Sequence, residues 1–400
     1  MKLSAGNKLE LGRAIDPEYK SEASIVLRYR NAFHFGMTAE EGSEYKEWLQ
    51  KTSIREGARI FPLLAYKGVE IFILDETSLM HTKTLKSVDG CITVARCKLN
   101  GHERVVFESG GNTGTALTQY GILAGLETFM LIPEENLPLL NSRIFESRRA
   151  HLLSVEKPAL VKKAAHLLAK LNGFKQIPEP DWRYEASRFR GFFILEYMLE
   201  REKFDWLTQT ISAAFGPIGI YSVLNYFSQE FGNLPRFLGI QQEANSPMFK
   251  AWKSKETDGL TEITSTSLLL SKVMYDAKPE TYGSYEDLRN ILSATGGDLT
   301  TVDHHEFSGF LEETYDNKTI LDLLKDQGIE ITVRGGDIIE KTGLISLAGT
   351  LKHIDRGEIA EGSKVLCCLT SGISEADGKA KPELRISSSD DLTETLNKII

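Results

Sequence analysis

The feature that most restricts this 400-residue chain is a repeated alternation of short apolar runs with helix-length amphipathic stretches. The strand-like runs are Val69–Leu74, Arg104–Glu108, Thr128–Ile132, Leu152–Ser154, Thr210–Ala214, Arg236–Gln241 and Lys364–Leu369. Helical segments lie between several of them: Leu117–Leu123, Ala159–Leu171, Phe192–Glu200, Ile220–Phe227, Thr319–Lys325 and Leu344–Ile354. Strand, loop, helix and strand at this spacing predict right-handed crossovers and mostly parallel sheets flanked by helices. Ligands of such sheets bind beyond the carboxyl ends of the strands, so the loops there carry the functional question.

Composition narrows the field. With 41% apolar residues the chain can bury sizeable cores, which excludes disorder as its main state. Its 47 Lys and Arg against 56 Asp and Glu give a net charge of -9, which argues against nucleic acid or an anionic membrane as a general partner. No apolar run of about 18 residues is present, and the first ten residues lack the apolar core of a signal peptide. Cys91, Cys97, Cys367 and Cys368 fit neither a disulfide framework nor a zinc site. These features predict a reduced, cytoplasmic chain without a metal centre. Asp303-His-His-Glu306 reads as the polar start of a helix, since adjacent histidines point different ways on one. Tyr282-Gly-Ser-Tyr285 reads as a loop anchored by its aromatics, with the lining of an active-site mouth as the alternative.

Three strand-to-helix loops could carry chemistry. Ser109-Gly-Gly-Asn-Thr-Gly114 exposes backbone N–H groups at a helix start, a ready anion site, although taken alone a tight turn with a cap is the simpler account. Gly216-Pro-Ile-Gly-Ile220 follows another apolar run, but Pro217 lacks one donor and the spacing falls short of a dinucleotide fingerprint. Met80-His-Thr-Lys-Thr-Leu-Lys-Ser87 places two lysines after a strand end. A lysine that can shed its proton there could bind an aldehyde as a Schiff base.

Taken in order, Thr82-x-Thr-x-Lys-Ser87, Ser109–Gly114, the Gly216 loop, Ala294-Thr-Gly-Gly-Asp-Leu, Glu340-Lys-Thr-Gly and Leu369-Thr-Ser-Gly372 resemble the fold type II pyridoxal-phosphate enzymes. The resemblance runs from about Arg59 to Gly372 and is nearest the threonine synthase and cysteate synthase branch, through Asn245–Trp252 and Arg188-x-x-Gly191. It implies Lys86 as the Schiff-base lysine and Asn112 as the partner of the cofactor's 3-hydroxyl. Ser109, Gly110, Gly111 and Thr113 would grip the substrate carboxylate, and Arg188 the substrate phosphate. Gly216, Pro217, Ile218, Gly219 and Ile220 would form the phosphate loop. Thr370, or Ser371, would meet the pyridine nitrogen. Three departures stand out: Ser87-Val88 after the lysine, a proline and an isoleucine inside the phosphate loop, and no Asn residues before Arg188. A phosphate would need compensation from side chains such as Ser222.

The resemblance further implies two mostly parallel α/β domains with the cofactor in the cleft between them. The large domain would comprise residues 1–85 and 161–400, and a small mobile domain residues 86–160. The implied activity is β-replacement on an activated serine, O-phosphoserine foremost, through an aminoacrylate in a homodimeric enzyme. Threonine synthase-type γ-replacement, threonine or serine deamination, and a non-catalytic binding protein are the alternatives.

Overall fold

The structure, a computed structural model, describes residues 10–33, 37–255, 268–275, 284–387 and 391–397. It divides into two compact units, one of Met1–Glu56, Lys86–Phe189 and Glu375–Ile400, the other of Gly57–Leu85 and Arg190–Ser374. Tyr282 and Gly283 lie outside the described residues; the helix Ser284–Thr295 begins directly after them.

The first unit is built on a five-stranded, wholly parallel sheet. Its order is Leu384–Ile386, Ala150–Val155, Glu127–Pro133, Arg104–Glu108 and Lys175–Gln176. The helix Val161–Asn172 lays Ala164, Ala165 and Leu168 against Val106, Phe129, Leu131 and Leu153, a fully apolar seam. The segment before Gly57 is anchored through Glu56. That fully buried carboxylate accepts from the hydroxyls of Ser24, Ser53 and Tyr120 and from the Ile54 amide. Burial pushes the Glu56 carboxyl up against the downward pull of those donors.

The second unit holds a six-stranded sheet in the order Arg59–Tyr66, Val69–Asp75, Lys364–Leu369, Trp206–Thr210, Arg236–Gln242 and Asp298–Val302. Only the first pair is antiparallel. Its core gathers Ile71, Ile73, Leu238, Ile240, Val365 and Cys367 with the buried face of the helix Thr342–Asp355. Both sheets are therefore parallel-rich and covered by helices, as the alternating pattern predicts.

Two boundaries differ from the sequence reading. Residues 10–56, 161–189 and 375–397 group with the Lys86–Leu160 segment and not with the larger sheet. The reason lies in the pairings: strands Lys175–Gln176 and Leu384–Ile386 extend the first unit's sheet, and Val161–Asn172 covers it. The strand expected at Thr210–Ala214 is instead Trp206–Thr210. Its ladder continues once more, from the Ile211 amide to the Ile240 carbonyl, before Ala214 turns into the left-handed region at φ 57°.

His304 and His305 open a helix whose N-cap is Asp303. The Asp303 side chain accepts from the Glu306 amide while Glu306 reaches back to Asp303. Among the described residues no cluster of three or more potential metal ligands occurs, and no helix is long and apolar enough to cross a membrane. All four cysteines are buried free thiols.

Candidate functional site

In the first unit, Lys86 is the first residue of the helix Lys86–Leu99. Its Nζ lies 2.7 Å from Asp89 Oδ2, one turn along, with the carboxylate almost wholly buried. Nothing in the sequence reading pointed to Asp89. Gly90 lets this helix approach the helix Asn112–Leu123, since a Cβ there would stand 2.7 Å from the Tyr120 ring and 3.0 Å from the Ala116 carbonyl.

The Ser109–Gly114 loop joins the strand Arg104–Glu108 to that second helix. Gly111 takes φ 155°, ψ -85° and stands at the N-cap without a side chain to cap with. Ser109 does the capping instead: its Oγ accepts from the Gly111 amide at 3.1 Å and the Gly114 amide at 2.8 Å. The Gly110 carbonyl accepts from Asn136 Nδ2 at 2.9 Å, which fixes the loop from outside. Asn112 and Thr113 follow, half-buried, in the first turn of the helix. Ser109 is thus turned into its own loop, and of the two N–H groups it holds, that of Gly111 belongs to a residue expected to grip a carboxylate.

Arg188 lies on the helix Pro180–Glu200, half-buried, where burial pulls its guanidinium down against the opposing charges of Glu185 and Asp181. Glu185 is itself engaged: Tyr45 donates to one oxygen, and Arg96 pairs with the other at 2.7 Å. Arg96 also covers the Tyr45 ring at 4.2 Å.

In the second unit, Asp75 ends its strand as the hub of a turn. It accepts from the amides of Thr77 and Ser78 and from both their hydroxyls, and pairs with Arg59 at 3.0 Å. The chain then passes Lys83, at φ 60°, and reaches Leu85, whose amide donates to the Thr370 carbonyl at 3.0 Å. The residue before Lys86 is therefore tied to the loop that was expected to meet the pyridine ring.

Thr370 and Ser371 follow the strand Lys364–Leu369 and are 3% and 1% exposed. Both hydroxyls are buried without a hydrogen-bond partner among the described residues. The Ser371 carbonyl is crowded by the helix Thr342–Asp355: a Cβ on Gly343 would stand 2.1 Å from it, so only glycine fits. Glu340 accepts from the Thr342 amide and hydroxyl at the head of that helix, and the Thr342 carbonyl in turn accepts from Thr210.

The loop Gly216–Ile220 forms the first turns of the helix Phe215–Tyr226. Pro217 and Gly219 are buried, while Gly216 and Ile218 are half-buried. Ser222 offers no compensation, because it is exposed and its hydroxyl donates to the Gly219 carbonyl at 2.7 Å. Beneath Gly216 is a cluster the sequence reading missed. Arg190 donates through Nε and Nη2 to both oxygens of Glu76, and through Nη2 to Gln209 Oε1 at 2.8 Å. All three side chains are buried. Cys368 lies beside the pair; burial and the Glu76 charge push its thiol well up, so it stays protonated.

No protein-family model matches the chain. It is 25% identical over 322 residues to the cysteate synthase of Methanosarcina acetivorans, covering 77% of this chain and 72% of that one. It is also 25% identical over 318 residues to the threonine synthase of the same organism, covering 76% and 70%. Among solved structures, a pyridoxal 5'-phosphate-dependent aspartate racemase superposes with a TM-score of 0.62 at 16% identity, over 84% of this chain and 97% of that one. The fold and these relatives agree with the motifs and with the two open hydroxyls at the end of a parallel strand. The chain has the fold of the fold type II pyridoxal-phosphate enzymes and is similar in sequence to cysteate and threonine synthases.

Proposed function

We propose that this enzyme catalyses β-replacement on an activated serine, with O-phosphoserine as donor. Pyridoxal phosphate is its cofactor. Two observations support the fit: the partnerless buried hydroxyls of Thr370 and Ser371, and the bare Gly216 turn, where a side chain would collide with Gln209 and Arg190. In this reading Lys86 binds the aldehyde and Asn112 the 3-hydroxyl. The Gly216–Ile220 turn receives the phosphate, and Thr370 or Ser371 faces the ring nitrogen.

When bound, the cofactor supplies an electron sink for the α-carbon of an amino acid; the protein positions the substrate and moves its protons. Lys86 Nζ would take the α-proton, with Asp89 at 2.7 Å to stabilise the resulting ammonium. The Ser109–Gly114 loop would hold the substrate carboxylate on its amides, and Arg188 the departing phosphate. A neutral hydroxyl at the ring nitrogen, in place of a carboxylate, suits loss of a β-substituent.

The observation that carries this reading is the pair of partnerless hydroxyls joined, through Leu85, to the backbone beside Lys86. The choice of donor is supported by the cysteate synthase relative and by Arg188. A threonine synthase relative of equal identity supports γ-replacement on phosphohomoserine as the second reading. One experiment separates them: purified holoenzyme is given O-phosphoserine or O-phosphohomoserine with a panel of nucleophiles, and phosphate is assayed. Release from phosphoserine alone is expected. Release only from the longer substrate establishes the second reading, and release from neither refutes both. Borohydride reduction followed by peptide mass mapping should place the cofactor on Lys86, and Lys86→Ala should abolish the adduct.

A further inference from the structure

The turn assigned above to the phosphate is poor in donors. Pro217 has no N–H, and the Ile218 amide is taken by the Ala214 carbonyl at 3.3 Å. Directly behind it lies a cation. Arg190 is 1% exposed, and a Cβ placed on Gly216 would stand 2.9 Å from Arg190 Nη1 and 2.5 Å from Gln209 Nε2. Glycine at 216 is what lets the guanidinium approach the backbone of the turn.

The rest of the cluster aims this cation. Glu76 takes Nε and Nη2 in a two-pronged pairing, and Gln209 accepts from Nη2 as well, which turns Nη1 toward Gly216. Each partner stands at the carboxyl end of a strand. Glu76 follows Val69–Asp75 with its amide on the Leu369 carbonyl, and Gln209 is the penultimate residue of Trp206–Thr210. Buried ion pairs seldom add stability over apolar residues of the same volume, so their position carries the meaning. In a parallel sheet this end is where ligands bind. A lysine would offer one point charge and could not satisfy Glu76 and face Gly216 together.

We propose that Arg190 is the positioning residue for the cofactor's phosphate: behind the Gly216 turn it sets a guanidinium that makes up for the N–H donors Pro217 and Ile218 do not offer. Glu76 and Gln209 fix its orientation. This rests on the reading of Gly216–Ile220 as the phosphate seat. It predicts that Arg190 governs the preference for a phosphorylated over an unphosphorylated aldehyde, and not the capture of aldehyde by Lys86 itself.

The test titrates cofactor-free protein with pyridoxal phosphate and, separately, with pyridoxal, trapping each on Lys86 with borohydride and counting adduct by mass. In the double variant Glu76→Gln/Arg190→Met, which leaves no lone buried charge, half-saturation by pyridoxal phosphate should rise roughly 10- to 100-fold. Half-saturation by pyridoxal should stay within about twofold. Arg190→Lys should lower the preference severalfold, and it decides the matter if the double variant does not fold. Glu76→Gln alone, which removes only the countercharge, should strengthen the preference. Equal weakening of both aldehydes, or an unchanged preference in the Arg190 variants, overturns the proposal while leaving Lys86 as the anchor. Capture of neither aldehyde by the unaltered protein overturns the functional reading itself.

Discussion

The candidate residues at Lys86 and Ser109 in the first unit and at Thr370 and Ser371 in the second treat their polar groups in opposite ways. In the first unit they are spent on one another: Lys86 on Asp89, Ser109 on the Gly111 and Gly114 amides, Glu185 on Arg96 and Tyr45. In the second, the Thr370 and Ser371 hydroxyls are buried with no partner among the described residues. A buried hydroxyl left unpaired costs about 1–3 kcal/mol. The second unit is therefore preorganised, since a ligand there gains hydrogen bonds without breaking any. The first must exchange bonds it already has. Substrate and cofactor binding should thus rearrange the Lys86 and Ser109 regions and leave the Thr370 region nearly as it stands.

The largest expected effect tests the rigidity of the second half. Gly343→Ala would drive a Cβ into the Ser371 carbonyl, and backbone cannot step aside cheaply, so a loss of about 3 kcal/mol is expected. Gly114→Ala meets mainly the flexible end of Met130 and the Ser109 Cβ, and should cost about 1 kcal/mol. Denaturant titration of both variants measures the difference. Equal losses would break the contrast.

Ser109→Ala comes next. Removing the acceptor of two loop amides should cost about 1 kcal/mol, as for other lost helix caps. Faster hydrogen exchange should be confined to Gly111 and Gly114. A change in exchange that spreads along the whole helix Asn112–Leu123 would mean that Ser109 supports more than its loop.

Asp89→Asn should have a comparable effect seen in kinetics. An amine whose Nζ is held on a carboxylate 2.7 Å away must leave that contact to reach a carbonyl. Freed from it, Lys86 should be captured by pyridoxal phosphate about fivefold faster at neutral pH, the equivalent of an ion pair near 1 kcal/mol. Slower capture would show that Asp89 assists the amine and does not restrain it.

Much of this architecture is legible in the sequence, and the failures have physical causes. Arg104–Glu108 and Lys364–Leu369 are short, apolar and bounded by turn residues, and the structure returns them unchanged. The helix Lys86–Leu99 went unread because Ser87–Ala95 is buried on every side, so no apolar stripe alternates with a polar one. Trp206–Thr210 was displaced because the apolar run continues to Ala214, and hydrophobicity alone does not say where a buried strand stops. Lys86, Asn112 and Thr370 can be singled out as candidates because they lie within local motifs. Glu76 and Arg190 cannot, being 114 residues apart and joined only by the fold. Their one local hint is a carboxylate directly after a strand.

The smallest effect has the most informative sign. Thr370→Val replaces a partnerless buried hydroxyl with a methyl group of nearly the same shape. In most buried sites such a change destabilises, because the hydroxyl had a hydrogen bond to lose. Here the cofactor-free protein should become more stable, by about 0.5–1 kcal/mol, since only a desolvation cost is removed. The cofactor-bound form should gain less or lose, so the shift in unfolding midpoint on adding pyridoxal phosphate should shrink. Ser371→Ala should behave alike if both hydroxyls face the ligand; if only one narrows the shift, that residue meets the ring nitrogen. A destabilised cofactor-free Thr370→Val protein would show that this hydroxyl serves the fold, and the contrast between the two halves would then reduce to Ser371 alone.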